Sequence, residues 1–379
     1  MTSLKILIAG DYSPRERASV LIDENRYNDL FKEMLPFTEE ADISIVNFET
    51  TVVDEECLPI EKRGPNLKCT EKAIDALQYA GFNCVTLANN HFRDYGDRGC
   101  ELSFAAFEKK GIDYVGAGTN IGEAKRILYK TVRGKTIAIC NFCEHEFTIA
   151  EEDKKGCNPI DPVSNYYQIT EAKSKADCVI IITHGGHEHF QYPSLRMKKL
   201  FHYFIDLGAD AVINHHQHCY SGYEEYNGKP IFYGLGNFCF DWQYTDLWTK
   251  GVFVTISIKD KVISTTTTPY RQWGQEQTGV RILQGKDKQE VLDDMNRISS
   301  VISNDLLLEE VCNGYFDKTQ IPYAFSLEPV YNKYLRSLYI RGLYPTKLNR
   351  RRLIDLLLYL QCESHFERVI RFLKRKNKE

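Results

Sequence analysis

Seven of the ten histidines in this 379-residue chain lie between His184 and His218. They fall in short groups. One runs from Ile180 through His184, Gly185, Gly186, His187 and Glu188 to His189. A second, Gly208 to His218, ends Asn214-His215-His216-Gln217-His218, and it is followed by Gly234-Leu-Gly-Asn237-Phe-Cys-Phe-Asp241. Each group adjoins a short apolar run, so each stands where a buried strand should end. Imidazoles gathered at strand ends are the usual material of a metal site. A lone histidine is ordinarily a satisfied loop residue. A His-x-His directly after a strand, with another strand-end His upstream, points to metal ligation.

Three earlier apolar runs stop in the same way. Lys5 to Ala9 ends at Gly10-Asp11, Asp42 to Val46 ends in Asn47-Phe-Glu49, and Asn83 to Ala88 runs into Asn89-Asn90-His91. In open α/β sheets, sites form just beyond the carboxyl ends of the strands. The five polar clusters should therefore converge, although about two hundred residues of sequence separate the first from the last.

Asp11, Glu49, Asn90, His184, His216 and His218 together mix carboxylates, an amide oxygen and imidazoles. Such a set suits a divalent cation: manganese, iron, zinc or magnesium. Six donors are too many for one tetrahedral zinc that keeps an open position. They suit two ions sharing a bridging carboxylate, an arrangement that clamps the attacking and leaving oxygens of a displacement at phosphorus. His91, next to a proposed ligand, stands where a general acid or a phosphate partner belongs. Asn89, His215, Glu188 and Asn237 are expected to support the ligands or touch substrate. Asn237 has two readings, a hydrogen bond to the site loops or a left-handed turn that Asn tolerates. Trp242, Tyr244 and Trp248 fit either a sugar-stacking wall or buried packing.

The elements that would position these residues alternate. Helices are expected at 70–80, 99–110, 170–176 and 195–207. Strands are expected at 135–140, 178–183, 211–213, 229–233 and 252–258. Residues 50–70 and 150–165 read as loops, and Gly116-Ala-Gly118 reads as a tight turn. This alternation argues an α/β domain with helices covering a sheet. After residue 270, Val280–Val311 and Leu348–Phe372 read as helices without a metal-type cluster, and His365 reads as a surface or packing residue. The expected division is a site-bearing domain at 1–270 and a helical C-terminal region at 271–379.

The net charge of -4 gives no general attraction to nucleic acid. Twelve cysteines are scattered through apolar runs, as expected for reduced core thiols in a cytoplasmic protein. The first residues do not read as a signal peptide, and no apolar run reaches the roughly 18 residues needed to span a bilayer.

Several motifs occur together and in order. They are Gly10-Asp11, Asn47-x-Glu49, Ala88-Asn-Asn-His91-x-x-Asp94-Tyr-Gly96, His184-Gly-Gly-x-Glu188, Gly208-Ala-Asp-x-Val-Ile-x-His-His-x-His218 and Tyr233-Gly-Leu-Gly-Asn237-Phe238. In this order they resemble the CapA-type capsule, or poly-γ-glutamate, biosynthesis proteins over about residues 4–258. That family is similar to the calcineurin-like metallophosphoesterases. The resemblance implies layered sheets flanked by helices, with Glu49 as the bridging carboxylate. Asn90, His184 and His216 would complete one metal, and Asp11 and His218 would hold the other. His91 would meet the phosphate or protonate the leaving group, and Glu188 matches a family acid. The chain departs from the pattern twice. Ser13 stands where two-metal phosphoesterases carry a His, and Asn214 and Gln217 replace the Gly and Pro around the His pair.

The implied function is a metal-dependent phosphoesterase of capsule or exopolymer biosynthesis, in which a metal-activated water attacks a phosphate ester with help from His91. Alternatives are an accessory subunit of a poly-γ-glutamate amide-ligase or export machine acting on carboxylate or acyl-phosphate, and a non-catalytic polymer-binding protein with a degenerate site. From Lys347 to Glu379 there are ten Lys or Arg against four Asp or Glu, around an apolar run at Leu353–Leu360. That pattern fits either a packed amphipathic helix with a solvated tail or peripheral contact with anionic lipid on the cytoplasmic face.

Overall fold

The computed structural model of the chain describes residues 3–241, 245–260, 262–274, 278–327, 332–344, 348–361, 369 and 373. Trp242, Tyr244, His365 and Lys374 to Lys376 lie outside the described residues. The strands, in chain order, are β1 (Leu4–Tyr12), β2 (Ile43–Phe48), β3 (Cys84–Thr86), β4 (Asp113–Val115), β5 (Ala117–Gly118), β6 (Leu128–Val132), β7 (Lys135–Cys143) and β8 (Gly156–Cys157). They continue as β9 (Cys178–His184), β10 (Ala211–His215), β11 (Tyr223–Tyr226), β12 (Lys229–Phe232), β13 (Asn237–Cys239), β14 (Lys250–Lys259), β15 (Val262–Trp273) and β16 (Thr278–Ile282). The helices are α1 (Glu16–Asp23), α2 (Tyr27–Phe31), α3 (Leu35–Glu40), α4 (Lys72–Tyr79), α5 (Gly96–Lys110) and α6 (Ile121–Ala124). After them come α7 (Pro162–Lys175), α8 (Leu195–Asp206), α9 (Gly285–Ile302), α10 (Asp305–Leu327), α11 (Lys333–Ile340) and α12 (Arg350–Gln361).

Two large mixed sheets carry the fold. One has the order β16-β15-β14-β1-β2-β3-β4, with β13 also paired to β1; the other has the order β11-β12-β10-β9-β7-β6. The central strands β1, β2, β9 and β10 are parallel to their site-side neighbours and buried on both faces. This explains why they read as continuous apolar runs and not as alternating ones. The expected layered α/β architecture is the observed one.

Four local expectations change. The loop read at 150–165 contains β8 and the start of α7, where the Asp161 side chain accepts from Val163 N and Pro162 takes the first turn. Proline fits there because its missing N–H has no partner in a first helical turn anyway. β7, expected at 135–140, runs on to Cys143 and is buried on both faces along most of its length. Val280 belongs to β16, not to a helix. Lastly, position 270 falls inside β15, so the sheet runs past the expected domain boundary. The first compact unit spans Met1–Glu309 and the second Glu310–Glu379. Val291, Met295, Ile298 and Ile302 of α9 are buried, which keeps that helix with the first unit.

A candidate metal centre where two sheets end

The ligand candidates arrive from both sheets. Gly10 permits the first close approach. A Cβ there would lie 1.9 Å from Gly236 O, so only glycine lets β1 pass the turn before β13. Gly236 itself takes the left-handed conformation, with φ 76. The result sets Asp11 opposite Asn237 in the β1–β13 register. In the second sheet, β9 and β10 run parallel with His184 opposite His215, so both strands deliver their histidines at one level.

Two sets of ligand atoms gather at this edge. Glu49, His184 and His216 form one, and Asp11, Glu49 and His218 form the other; within each, the ligand atoms lie within 4.8 Å of one another. Glu49 belongs to both. His184 Nε2 is 3.0 Å from His216 Nδ1 and 3.0 Å from Asn90 Oδ1, which brings Asn90 to the first set. Glu49 Oε1 is 3.7 Å from His184 Nε2 and 3.8 Å from His218 Nε2. Both Glu49 oxygens are buried and have no hydrogen-bond partner. A carboxylate left so in a protein interior is costly unless a cation meets it. Together with neutral imidazoles and an amide oxygen, it is a donor set that fits one or two divalent ions.

The electrostatics agree. Burial pushes the Glu49 carboxyl well above the usual carboxylate range, and the charges of Asp11, Glu188, Glu146 and Asp94 push the same way. Burial, then the neighbouring His216, His215, His218 and His91, holds His184 well below the usual imidazole value. His218 falls to about 4, because burial outweighs the raising effect of Asp11 and Glu188. Both imidazoles are therefore neutral near pH 7, the form that ligates metal. Burial works against ionised Asp11, but His215, His218 and Asn47 outweigh it and hold Asp11 below its ordinary value.

The outer partners are specific. Asn47 Nδ2 donates to Asp11 Oδ1 at 2.8 Å. Asn237 Oδ1 lies 2.9 Å from His218 Nδ1, and its Nδ2 donates to His218 O and Trp248 O. Of its two readings, the hydrogen bond is the observed one; Gly236 takes the left-handed position. Trp248 is buried and its ring centroid is 4.4 Å from that of His218, so it packs against the site. Asn89 holds the loop, donating to Phe48 O at 2.8 Å and accepting from His91 N at 3.0 Å. His215 Nδ1 is 3.2 Å from Asp11 Oδ1, while Ser13 Oγ is buried with no hydrogen-bond partner. Glu188 is half-exposed at the mouth and belongs to neither ligand set.

His91 sits beside the ligands and is almost fully buried. Its Nδ1 lies 2.6 Å from Asp94 Oδ2, and Lys62 pairs with the other Asp94 oxygen. Asp94 Oδ2 also accepts from Leu67 N at 2.6 Å, which fixes the carboxylate. Burial lowers the His91 pKa, and Lys62 and His216 lower it further, against the raising effect of Asp94. His216 and His218 both take positive φ, 97 and 56. Such strain, about 1–3 kcal/mol per residue, persists where surrounding contacts over-determine the conformation.

Sequence reasoning missed Glu146 and Lys62. Glu146 lies just past β7, whose Cys143 is opposite His184. Its Oε2 accepts from Asn90 Nδ2 at 3.3 Å, and its Oε1 is 3.9 Å from His216 Nε2. The signal was present, since Glu144-His145-Glu146 follows an apolar run as the other clusters do. Lys62 comes from an irregular loop that carries no such signal.

The chain matches the family described as bacterial capsule synthesis protein PGA_cap over residues 5–242. It is 32% identical over 250 residues to the capsule biosynthesis protein CapA of Bacillus anthracis, covering 64% of this chain and 61% of that one. It is 31% identical over 245 residues to the PGA biosynthesis protein CapA of Bacillus subtilis (strain 168), covering 64% of each. The chain thus spans a little under two thirds of the length of these relatives. Among solved structures, a hypothetical protein from Thermus thermophilus overlays with a TM-score of 0.48 at 13% identity, covering 71% of this chain and 99% of that one. The matched stretch carries every residue of both ligand sets, and this chain belongs to the bacterial capsule synthesis protein PGA_cap family.

Proposed function

We propose that this protein is a metal-dependent phosphoesterase of capsule or exopolymer biosynthesis. The observation that carries the reading is Glu49, a fully buried carboxylate shared by two ligand sets and without a hydrogen-bond partner. Asn90, His184 and His216 would hold one cation with Glu49, and Asp11 and His218 would hold the other. A divalent ion there supplies a Lewis acid for phosphate oxygens and acidifies water at neutral pH.

The chain's own residues do the rest. His91 gives a proton to the leaving oxygen, and Asp94 fixes its ring through Nδ1. Asn237 holds His218 with Nδ1 engaged, leaving Nε2 for the cation. Asn47 aims Asp11. A phosphorylated sugar, a lipid-linked glycan phosphate or a nucleotide fits this chemistry. The eleven described cysteines are all free thiols, which supports a reducing, cytoplasmic setting.

A second reading is an accessory role in making an anionic polymer, in keeping with the name of the Bacillus subtilis relative. Ser13 favours it, because its buried hydroxyl stands where two-metal phosphoesterases carry a histidine, which weakens one of the two cation sites. Elemental analysis of the purified protein, followed by a phosphatase assay with added manganese, separates the two. Metal with turnover supports the phosphoesterase. Metal without turnover supports the accessory role.

A further inference from the structure

The second compact unit, Glu310–Glu379, lies beyond the family match and carries an unusual combination of surface features. It holds fourteen Lys or Arg against seven Asp or Glu, within a chain of net charge -4. Its described helices also face water with apolar side chains. α11 buries none of its residues, and Tyr334 and Ile340 are exposed. On α12, Leu353, Leu357 and Leu360 recur at i, i+4 and i+7, and they are 43%, 52% and 56% exposed. Leucines at that spacing form one helix face. Arg350, Arg351 and Arg352 stand at its start.

A helix packed on its own unit by this face would bury those leucines, and here they are exposed. Contiguous exposed apolar surface marks an interaction site. Charge selects the occupant. Described α11 and α12 carry Lys333, Arg336, Arg350, Arg351 and Arg352 against Asp355 as their one acid. A second copy would bring the same cations face to face. Among the described residues, no helix is long and apolar enough to cross a membrane. Basic residues beside an apolar face, on helices too short to span, are the features of a segment that lies in the lipid interface.

We propose that α11 and α12 dock on an anionic lipid surface, with the arginines on the head groups and the leucines at the acyl boundary. This would tether the chain to the lipid surface, and it does not depend on what reaction the metal centre performs.

The test is co-sedimentation of the full chain with vesicles of phosphatidylglycerol and phosphatidylcholine, beside phosphatidylcholine alone. The full chain should pellet with the anionic vesicles at low salt and release at high salt. Reversing three cations (Arg350→Glu, Arg351→Glu and Arg352→Glu together) should weaken partitioning about a hundredfold. Leu353→Asn with Leu357→Asn should weaken it at low salt although the net charge is unchanged. All five positions are exposed, so the variants should keep the wild-type circular dichroism. Equal pelleting of wild type and variants overturns the proposal. So does a failure to bind anionic vesicles, including one in which the chain binds soluble polyglutamate.

Discussion

Asn214 and Gln217, the two residues that depart from the family pattern around the histidine pair, are hydrogen-bonded to each other. Asn214 Nδ2 donates to Gln217 Oε1 at 3.2 Å, and also to Gly185 O and Tyr233 O. Its Oδ1 accepts from Thr183 Oγ1 at 2.8 Å. Where a proline would stiffen the loop by its ring, this chain ties the loop to β9 and β12 through two buried amides. Asn214→Ala should therefore cost about 1–3 kcal/mol, since it strands buried partners. Paired with Gln217→Ala, the losses should fall short of additive by at least about 0.5 kcal/mol. Urea unfolding of the two single variants and the double variant checks this; strictly additive losses would mean the two side chains do not act together.

His184→Ala should strip metal from the first ligand set while leaving the fold, because the side chain serves the strand end and not the apolar core. Metal content by elemental analysis and circular dichroism read the two halves of that statement. Glu146→Gln should be milder. It leaves every ligand in place but loosens the orientation of Asn90 and His216, and outer partners of this kind change metal affinity about 10–100-fold. Unchanged affinity by calorimetry would reduce Glu146 to a surface acid.

His91→Ala should retain metal and lose about a hundred- to ten-thousand-fold in turnover of a phosphate ester. Asp94→Asn should lose less, and the loss should be larger for alkyl esters than for nitrophenyl esters. Only a poor leaving group needs the proton that Asp94 helps His91 deliver. Equal losses on both ester types would mean that Asp94 merely supports the loop.

The pH dependence of the metal-free protein has two opposed parts. His218 titrates at about 4 in the fold against 6.5 in the unfolded chain, so stability is lost as pH falls through that window. Glu49 is raised, so its contribution is present below 4.5 and is lost as pH rises through its folded value. A cation needs the ionised carboxylate and the neutral imidazole, and both are favoured by higher pH. The rise in Tm on adding manganese should therefore be larger at about pH 7.5 than at about pH 5. A rise that is flat or shrinking across that range would exclude both groups as ligands.

The strand ends were legible because buried parallel strands are short apolar runs, and a polar cluster after such a run is conspicuous. Asp11, Glu49, Asn90, His184, His216 and His218 could be read this way, and all six come together in the structure. The contact of Lys62 with Asp94 was not legible, because the loop between β2 and α4 has no period to read. β16 was misread because a run as short as Thr278–Ile282 fits a helix or a strand equally by spacing. The threonines from Thr265 to Thr268 in β15 were a strand signal, being β-branched, yet they lie against a boundary drawn from the helices beyond.

The shared carboxylate is the centre of the account, and cation titration by calorimetry tests it most directly. Wild type, His184→Ala and Glu49→Ala would each be stripped and titrated with manganese, with circular dichroism to confirm the fold. His184→Ala should weaken one set and spare the set of Asp11, Glu49 and His218, whereas Glu49→Ala should abolish uptake by both. A folded Glu49→Ala protein that still takes up manganese as wild type does would contradict the account.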